Sequence, residues 1–248
     1  MIRKKIVAAL ISGMVGISVA QAEEVSVAFL SDLPPFGFTE NGKLIGFDID
    51  IWQEIAKDIK VDYKPMSMDF GAMIPALQTG NIDVAMASMF ITNARKEIID
   101  FSQPYYISDY GVLAHKDDNS IQKPEDLDGK SIATVTGSAA AAWVRQNMPT
   151  AKVTLLPNVA NALLEFKTGR VDTVIYDYPT LAYYARTEGS DASRVLKQSV
   201  GDRFDVGIAF PKDSQLVGRV DDALANLRKD GRYDAIHQKW FGVSHNSD

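Results

Sequence analysis

The sequence predicts an α/β protein of two related lobes that face one cleft, and three observations support this prediction. An internal repeat matches residues 78–88 to residues 167–177, with Thr-Gly, a β-branched residue and Asp at the same spacing. Each copy has the pattern of a helix end, a tight turn and a buried parallel strand. Strand and helix patterns also alternate along the chain. The copies end in Ser88 and Asp177, and open α/β sheets place their ligands at the carboxyl ends of strands.

Length and composition indicate a folded protein with enough apolar sequence for a packed core. The chain has 248 residues and 46% hydrophobic content, which suits one large domain or two modest ones. Its net charge is −6 and no basic stripe is present, so we expect no nucleic-acid partner. The lack of cysteine excludes disulfides, thiolate metal sites, a cysteine nucleophile and a lipid-modified N-terminal cysteine.

Residues 1–22 have the three parts of a secretory signal peptide. A positive segment comes first, an apolar run covers residues 6–19, and Ala20-Gln21-Ala22 fits the small-x-small cleavage rule. The alternative, a membrane anchor, needs about 20 apolar residues, and this run is shorter. We therefore expect cleavage and a mature chain that begins near Glu23 without a lipid anchor. An exported, disulfide-free protein of this kind is expected in the bacterial periplasm.

The first half of the mature chain reads as strands and helices in alternation. Prolines after the first strand predict a loop, because proline removes hydrogen-bond donors. Gly80 stands where helix ends favour a left-handed residue, and Thr92 is placed to cap a short helix that contains Arg95. The expected elements are a strand at 24–30, a loop at 33–38, a helix at 48–60, a strand at 61–65, a helix at 70–79, and extended segments at 98–101 and 105–115.

A second series of strands and helices is expected from about residue 123. The segment 204–210 reads as extended and would return the chain across the cleft. The other expected elements are a helical turn at 123–127, strands at 131–135, 152–156 and 171–176, helices at 139–147, 158–167 and 179–187, and C-terminal amphipathic helices at 214–229 and 232–240.

Arg95 and Asp177 are the two charged candidates for the cleft. A guanidinium binds a carboxylate through two parallel hydrogen bonds, although a lone arginine here also fits a surface or structural ion pair. A carboxylate at the end of an apolar strand must be paired if it is buried, and an ammonium group would pair it. The alternative role of Asp177 is a cap for the helix that follows. Because the repeat places the two residues on opposite lobes, together they describe a receptor for a zwitterion.

Small and aromatic residues supply further candidates. Ser138 and Ala139 open a helix whose free backbone amides suit a carboxylate, although most such starts are ordinary caps. Phe70 and Phe90 are candidates to stack on a ligand, with core packing as the more common fate of aromatic rings.

Motifs of common enzyme classes are missing from the sequence. It has no Gly-x-Gly-x-x-Gly, phosphate loop, His-Glu-x-x-His or Gly-x-Ser-x-Gly. The histidines, His115, His237 and His245, lie far apart along the chain. We therefore expect no metal, no cofactor and no histidine-based triad.

The candidate site residues and the motifs around them resemble those of the bacterial periplasmic polar amino-acid binding proteins of ABC importers, of the glutamine- and lysine/arginine/ornithine-binding type. The matching motifs run in order through the mature chain: Pro35-Phe36, Gly46-Phe47-Asp48-Ile49-Asp50, Ile74-Pro75-Ala76-Leu77-Gln78, Ile91-Thr92 to Arg95, Ile99-Asp100-Phe101-Ser102, Tyr105-Tyr106, Asp126-Leu127-Asp128-Gly129-Lys130 and Lys239-Trp240-Phe241-Gly242.

The resemblance implies the two-lobed periplasmic binding protein fold, in which two α/β lobes are joined by two hinge strands. The first lobe would comprise residues 23–107 and 205–248, and the second lobe residues 108–204. The resemblance also implies a monomer without enzymatic activity. Its lobes would close around a free amino acid and dock on an inner-membrane ABC transporter permease.

Site roles also follow from the resemblance. Arg95 would grip the ligand α-carboxylate together with backbone amides near Ser138 and Ala139. Asp177 and the backbone carbonyl of Ser88 would hold the α-ammonium. Phe70 would pack on the ligand side chain.

The departures from the family pattern bear on specificity. Phe90 replaces a usual Thr or Ser, Leu30 and Val135 stand where glutamine binders have an acid and a lysine, Leu33 replaces an aromatic residue, and Tyr176 replaces His. Each change introduces apolar bulk, and an unpaired buried polar group costs roughly 1–3 kcal/mol. We therefore expect a small, neutral, alanine-like amino acid, of L- or D-configuration.

Two other classes of protein remain as alternatives. A cyclohexadienyl-dehydratase-like enzyme would use the same fold and need a general acid in the cleft, for which Asp177 is the obvious residue. An extracellular sensor module would normally need a membrane helix or a signalling domain, and the sequence after residue 22 shows neither.

Overall fold

The computed structural model describes residues 24–242, so the expected signal peptide lies outside the described part of the chain. The strands are β1 (Glu24–Phe29), β2 (Asp32–Leu33), β3 (Gly37–Glu40), β4 (Lys43–Ile45), β5 (Asp62–Ser67), β6 (Val84–Met86), β7 (Asp100–Phe101), β8 (Tyr106–His115), β9 (Ser131–Val135), β10 (Lys152–Leu156), β11 (Thr173–Asp177), β12 (Ser193–Val195), β13 (Val200–Val206) and β14 (Ala209–Phe210). The helices are α1 (Phe47–Ile59), α2 (Phe70–Gln78), α3 (Asn93–Lys96), α4 (Ala139–Asn147), α5 (Val159–Lys167), α6 (Tyr178–Arg186), α7 (Leu216–Lys229) and α8 (Arg232–Phe241), with a 3-10 turn at Pro124–Leu127. None of these helices is both long and apolar enough to cross a membrane.

The sheet of the first lobe has the order β5-β1-β6-β14-β7 and takes strands from both ends of the described chain. β1 lies parallel to β5 and β6, whereas β14 runs antiparallel to β6 and β7. The C-terminal helices α7 and α8 pack against α1. Val220, Leu224 and Leu227 are buried on one face of α7, as its amphipathic pattern requires.

The sheet of the second lobe has the order β10-β9-β11-β8-β12, with β13 paired to β8. β9 lies parallel to β10 and β11, and β8 is antiparallel to β11 and β12. All five residues of β11 are buried. A strand covered on both faces is expected to be continuously buried in this way. The structure thus has the two-lobed α/β fold that the sequence predicts.

The internal repeat is a structural duplication that extends to hydrogen bonds. Gly80 and Gly169 both have positive φ, 70° and 69°. Just before each glycine, the hydroxyl of Thr79 or Thr168 donates to the carbonyl four residues earlier, at 2.9 and 2.8 Å. The same turn chemistry therefore connects helix to strand in both lobes.

An aspartate then fastens each repeat strand to its neighbour. Asp83 accepts hydrogen bonds from the backbone N–H and the hydroxyl of Ser26, which lies in β1. Asp172 accepts the same pair from Ser131, which lies in β9. Each aspartate thus sets the register of the strand that leads into the cleft.

Two antiparallel strands connect the lobes. β13 pairs with β8, and its end pairs Val206 with Tyr106 and Phe204 with Ser108. The backbone N–H of Tyr105 also donates to the carbonyl of Val206, at 2.9 Å. The expected lobe boundaries, after residues 107 and 204, fall within these paired strands, and they stay a prediction.

Some short strands were not predicted. β12 and the first residues of β13 form because they pair with β8, which is distant in sequence. β2 and β3 pair with each other around the proline-containing loop, and β3 continues into β4 through the Asn41-Gly42 turn. Two- and three-residue strands have no periodic pattern of their own, so non-local pairing decides them.

Candidate functional site

Ser88 and Asp177, the end points of the two repeats, meet across the cleft. The Ser88 hydroxyl donates to Oδ2 of Asp177 at 2.9 Å, and both residues are buried. Ser88 follows β6 of the first lobe, whereas Asp177 ends β11 of the second. The repeat predicts that both ends face one cleft, and the structure shows in addition that their side chains are in direct contact.

Arg95 reaches the same place from the short helix α3. Thr92 caps that helix, since its hydroxyl accepts from the Arg95 backbone N–H. Arg95 Nη1 donates to the carbonyl of Phe90 at 2.7 Å, and Nη2 donates across the cleft to the carbonyl of Gly137 at 3.1 Å. Among the described residues these two carbonyls are its hydrogen-bond partners, so the five-donor guanidinium keeps donors for a carboxylate.

The guanidinium of Arg95 lies in a buried environment with charged and aromatic neighbours. The side chain is buried, and this burial lowers the pKa of Arg95, while the nearby carboxylate of Asp177 opposes the shift. The guanidinium also lies over the ring of Phe70, 5.2 Å from its centroid. Because Arg95 is buried, this environment does not fit the surface form of the alternative, an ion pair at the surface or within the structure, and the ligand-binding role of Arg95 stays a prediction.

Asp177 stands at the N-cap position of α6, but its side chain makes no capping hydrogen bond. The carboxylate points to Ser88 instead. Burial raises the pKa of Asp177 to about 7, although the Ser88 hydroxyl and Arg95 favour the charged form. A buried carboxylate of this kind is stabilised by a cationic partner.

Asp48, which was named above only as part of the Gly46–Asp50 motif and not as a site residue, contacts the site. The backbone N–H of Ser88 donates to Oδ2 of Asp48 at 3.1 Å, and the Tyr105 hydroxyl donates to Oδ1 at 2.8 Å. Burial raises the pKa of Asp48 to about 7. Its sequence signal is its spacing from Trp52 and Ile55, which places an acid on the apolar face of the helix.

The start of α4 lies beside Arg95 because Gly137 accepts its hydrogen bond. Ser138 is the N-cap of α4, and its hydroxyl accepts from the Ala141 backbone N–H at 3.0 Å. This is the ordinary capping arrangement that was the alternative for this segment. A carboxylate contact through the amides of Ser138 and Ala139 stays a prediction.

The four apolar candidates differ in their surroundings. Phe70 contacts Arg95. Phe90 stacks on Tyr110 and Phe204, with ring centroids 5.4 and 5.1 Å away. This packing ties Phe90 to the hinge strands, and its expected contact with a ligand stays a prediction.

Tyr176 and Leu33 are both buried. Burial and the charge of Asp177 raise the pKa of the Tyr176 hydroxyl. Tyr176 therefore belongs to the electrostatic surroundings of the cleft. A ligand contact of Leu33, which lies in β2, stays a prediction.

A crevice of about 370 Å³ separates the β2–β3 segment of the first lobe from α5 and α6 of the second. Asp32 and Thr180 line it with buried oxygens that have no hydrogen-bond partner among the described residues. Neither Asp32 nor Thr180 could be predicted as a lining residue from the sequence, because the crevice forms only where the two lobes meet.

The described residues contain no group of three His, Asp or Glu side chains arranged for a metal ion. The site is instead an arginine, a carboxylate and a hydroxyl brought together by two α/β lobes. This arrangement defines a bilobal solute-binding protein. Residues 25–243 match the family model described as bacterial extracellular solute-binding proteins, family 3, and the chain belongs to that family.

Curated relatives cover most of the chain. The chain is 30% identical over 213 residues to the L-cystine-binding protein TcyJ of Escherichia coli strain K12, spanning 85% of this chain and 79% of that protein. It is 26% identical over 242 residues to the ABC transporter arginine-binding protein 1 of the same strain, spanning 96% and 99%.

Solved structures of amino-acid-binding proteins are also similar to this chain. An ancestral arginine-binding protein bound to arginine has a TM-score of 0.84 and 38% identity, over 88% of this chain and 98% of that chain. The ancestral amino acid-binding protein AncCDT-1, a precursor of cyclohexadienyl dehydratase, has a TM-score of 0.80 and 33% identity, over 88% and 95%.

Proposed function

We propose that the protein captures a free amino acid between its lobes and delivers it to an ABC importer. The observation that supports this most is the position of two groups of opposite charge type on opposite lobes of the cleft: Arg95 donates across it to Gly137, and Asp177 accepts across it from Ser88. The relatives named for cystine and arginine support the same class of ligand.

Each end of the amino acid has a complementary group. Arg95 binds the α-carboxylate with its remaining N–H groups, assisted by backbone amides at Ser138 and Ala139. Asp177 binds the α-ammonium, whose positive charge favours the ionised carboxylate and so offsets the desolvation that raises the pKa of Asp177. Ser88 contributes its backbone carbonyl, and Phe70 packs against the ligand side chain.

The proposed ligand side chain is small and neutral, of L- or D-configuration. Its support is the apolar character of buried residues expected near the ligand: Leu30, Leu33, Val135, Phe90 and Tyr176. The relatives carry the names of larger amino acids, so this part of the proposal depends on the lining alone.

Delivery requires that the lobes open and close about β8 and β13. We propose that they do so as two bodies, residues 23–107 with 205–248 and residues 108–204. The closed form of a periplasmic monomer is then the species that docks on the membrane permease.

Calorimetric titration with the twenty L-amino acids, L-cystine and D-alanine tests the proposal. We expect saturable binding of a small neutral member. Tight binding of arginine, glutamine or glutamate alone would overturn the side-chain assignment but keep the amino-acid class. No binding across the panel would overturn the proposed function.

The second candidate is an exported dehydratase of the cyclohexadienyl type. The structural likeness to a precursor of such an enzyme favours it, and Asp177, whose pKa is raised to about 7, would be its general acid. Incubation with prephenate or arogenate, followed by detection of aromatic product, separates the two functions. Turnover that is lost in Asp177→Asn would establish the enzyme, and no turnover would leave the binding function.

A further inference from the structure

We infer that Asp48 is a positioning residue, which holds Ser88 in the conformation that the ammonium site needs and links this site to the hinge. The inference rests on the proposed function. The backbone of Ser88 has a φ of 47°. A residue other than glycine pays a conformational cost in this left-handed region and stays there when its surroundings hold it.

Asp48 provides the hold. It is 1% exposed, and its Oδ2 accepts the backbone N–H of Ser88 at 3.1 Å. Ser88 is thereby fixed from its N–H side, while its hydroxyl is aimed at Asp177. One residue of the first lobe thus stands between two buried carboxylates.

The other oxygen of Asp48 connects to the hinge. The Tyr105 hydroxyl donates to Oδ1 at 2.8 Å, and the Tyr105 backbone N–H donates to Val206 in β13. The carbonyl of Tyr105 in turn accepts from the hydroxyl of Tyr233 in α8. A continuous chain of buried hydrogen bonds therefore joins the site to the hinge, and such a network is rigid when its members are satisfied.

Asp48 also affects the site through its negative charge. Burial is the main cause of the raised pKa of Asp177, and the negative charge of Asp48 raises it further in the ligand-free protein. Further titratable groups around the pair are Arg95, Tyr105, Asp109, Tyr110 and Tyr176. An ammonium group in the site favours the ionised form of both carboxylates, so ligand binding should release protons near neutral pH.

Asp48→Asn tests the inference, with Asp50→Asn as the matched control. Asp50 lies on the same helix but pairs with Lys239 and Trp240 at the surface. The probe is whichever member of the amino-acid panel binds the wild-type protein tightest. The Asn side chain has one acceptor oxygen and no charge, so it cannot keep both charge-assisted hydrogen bonds of Asp48, and we expect a roughly 10- to 100-fold weaker affinity in D48N. D50N should bind like the wild type.

The number of protons released on ligand binding distinguishes a role of Asp48 in the charge and geometry of the site from a general effect of the substitution on folding. Titrations at pH 6.5 in two buffers of different ionisation enthalpy give the number of protons released. We expect a smaller number for D48N than for the wild type and D50N. Unchanged affinity, or weaker affinity with unchanged proton release, would overturn the inference.

A second variant keeps the test decisive if D48N does not fold. Tyr105→Phe removes one donor to Asp48 and should weaken binding less than D48N while altering proton release. Unchanged affinity and proton release in Y105F would then overturn the inference. The proposed function fails separately, if the wild type itself binds no amino acid.

Discussion

Gly71 and Gly137 bring the main chains of the two lobes into contact beside Arg95. A Cβ on Gly71 would lie 3.2 Å from the carbonyl oxygen of Thr136, and one on Gly137 would lie 3.3 Å from Cα of Gly71. Such distances are tight even for well-packed atoms. The absence of side chains at both positions therefore lets the lobes approach closely enough for Arg95 to reach Gly137.

Gly71→Ala should weaken ligand binding while it leaves the fold intact. Gly71 is the second residue of α2, where alanine favours the helix by up to about 1 kcal/mol over glycine. The same methyl group obstructs lobe contact. We expect an unchanged or higher melting temperature without ligand and a several-fold weaker affinity by calorimetry.

Gly218→Ala is the control for that variant. Gly218 lies in α7 with open space around its missing Cβ. It should gain helix stability and bind normally. Equal affinities of G71A, G218A and the wild type would show that the glycine contact does not govern closure.

The raised pKa of Asp177 should make the stability of the ligand-free protein depend on pH. Its pKa rises from 3.8 to about 7 on folding. The folded state therefore binds protons more strongly, so the contribution of Asp177 to the free energy of unfolding is full below pH 3.8 and is lost as pH rises through 7.

Asp177→Asn removes this titration. By about 1.4 kcal/mol for each unit of pKa shift, the advantage of D177N over the wild type should grow by as much as about 4 kcal/mol between pH 4 and pH 8. Urea unfolding at a series of pH values measures the difference. A difference that stays constant with pH would contradict the buried, ionising carboxylate.

Asp83 and Asp172 should affect stability and not ligand affinity. Each accepts two hydrogen bonds from a serine of the neighbouring strand. Alanine at either position removes these hydrogen bonds, and because water can reach the freed donors we expect a cost of about 0.5–1.5 kcal/mol. Because the geometry is duplicated, we expect similar losses for D83A and D172A in urea unfolding. A loss in one variant alone would show that the two repeats are not equivalent in energy.

The sequence was sufficient for the architecture because the repeat and the helix patterns are local. Most predicted helices and strands lie within two residues of their observed ends, and the repeat led directly to the Ser88–Asp177 contact. Strong periodicity and turn residues encode such features.

Other parts of the site depend on how distant segments meet. Asp48 contacts Ser88 across 40 positions of sequence, and the Gly71–Gly137 contact joins different lobes. Phe90 had two sequence-based interpretations, and its partners Tyr110 and Phe204 come from the hinge strands. Tertiary packing determines all three, and a single sequence has no local signal for it.

Substitution of Arg95 tests most directly whether the cleft binds the α-carboxylate and α-ammonium groups of an amino acid. Calorimetric titration should compare Arg95→Ala with the wild type, with the tightest-binding amino acid as the probe. Arg170→Ala is the control, since Arg170 pairs with Glu165 at the surface. We expect R95A to weaken binding by about 2–4 kcal/mol, because the buried carboxylate of the ligand loses its charged partner, whereas R170A should bind normally. Unchanged affinity in a folded R95A would contradict this expectation.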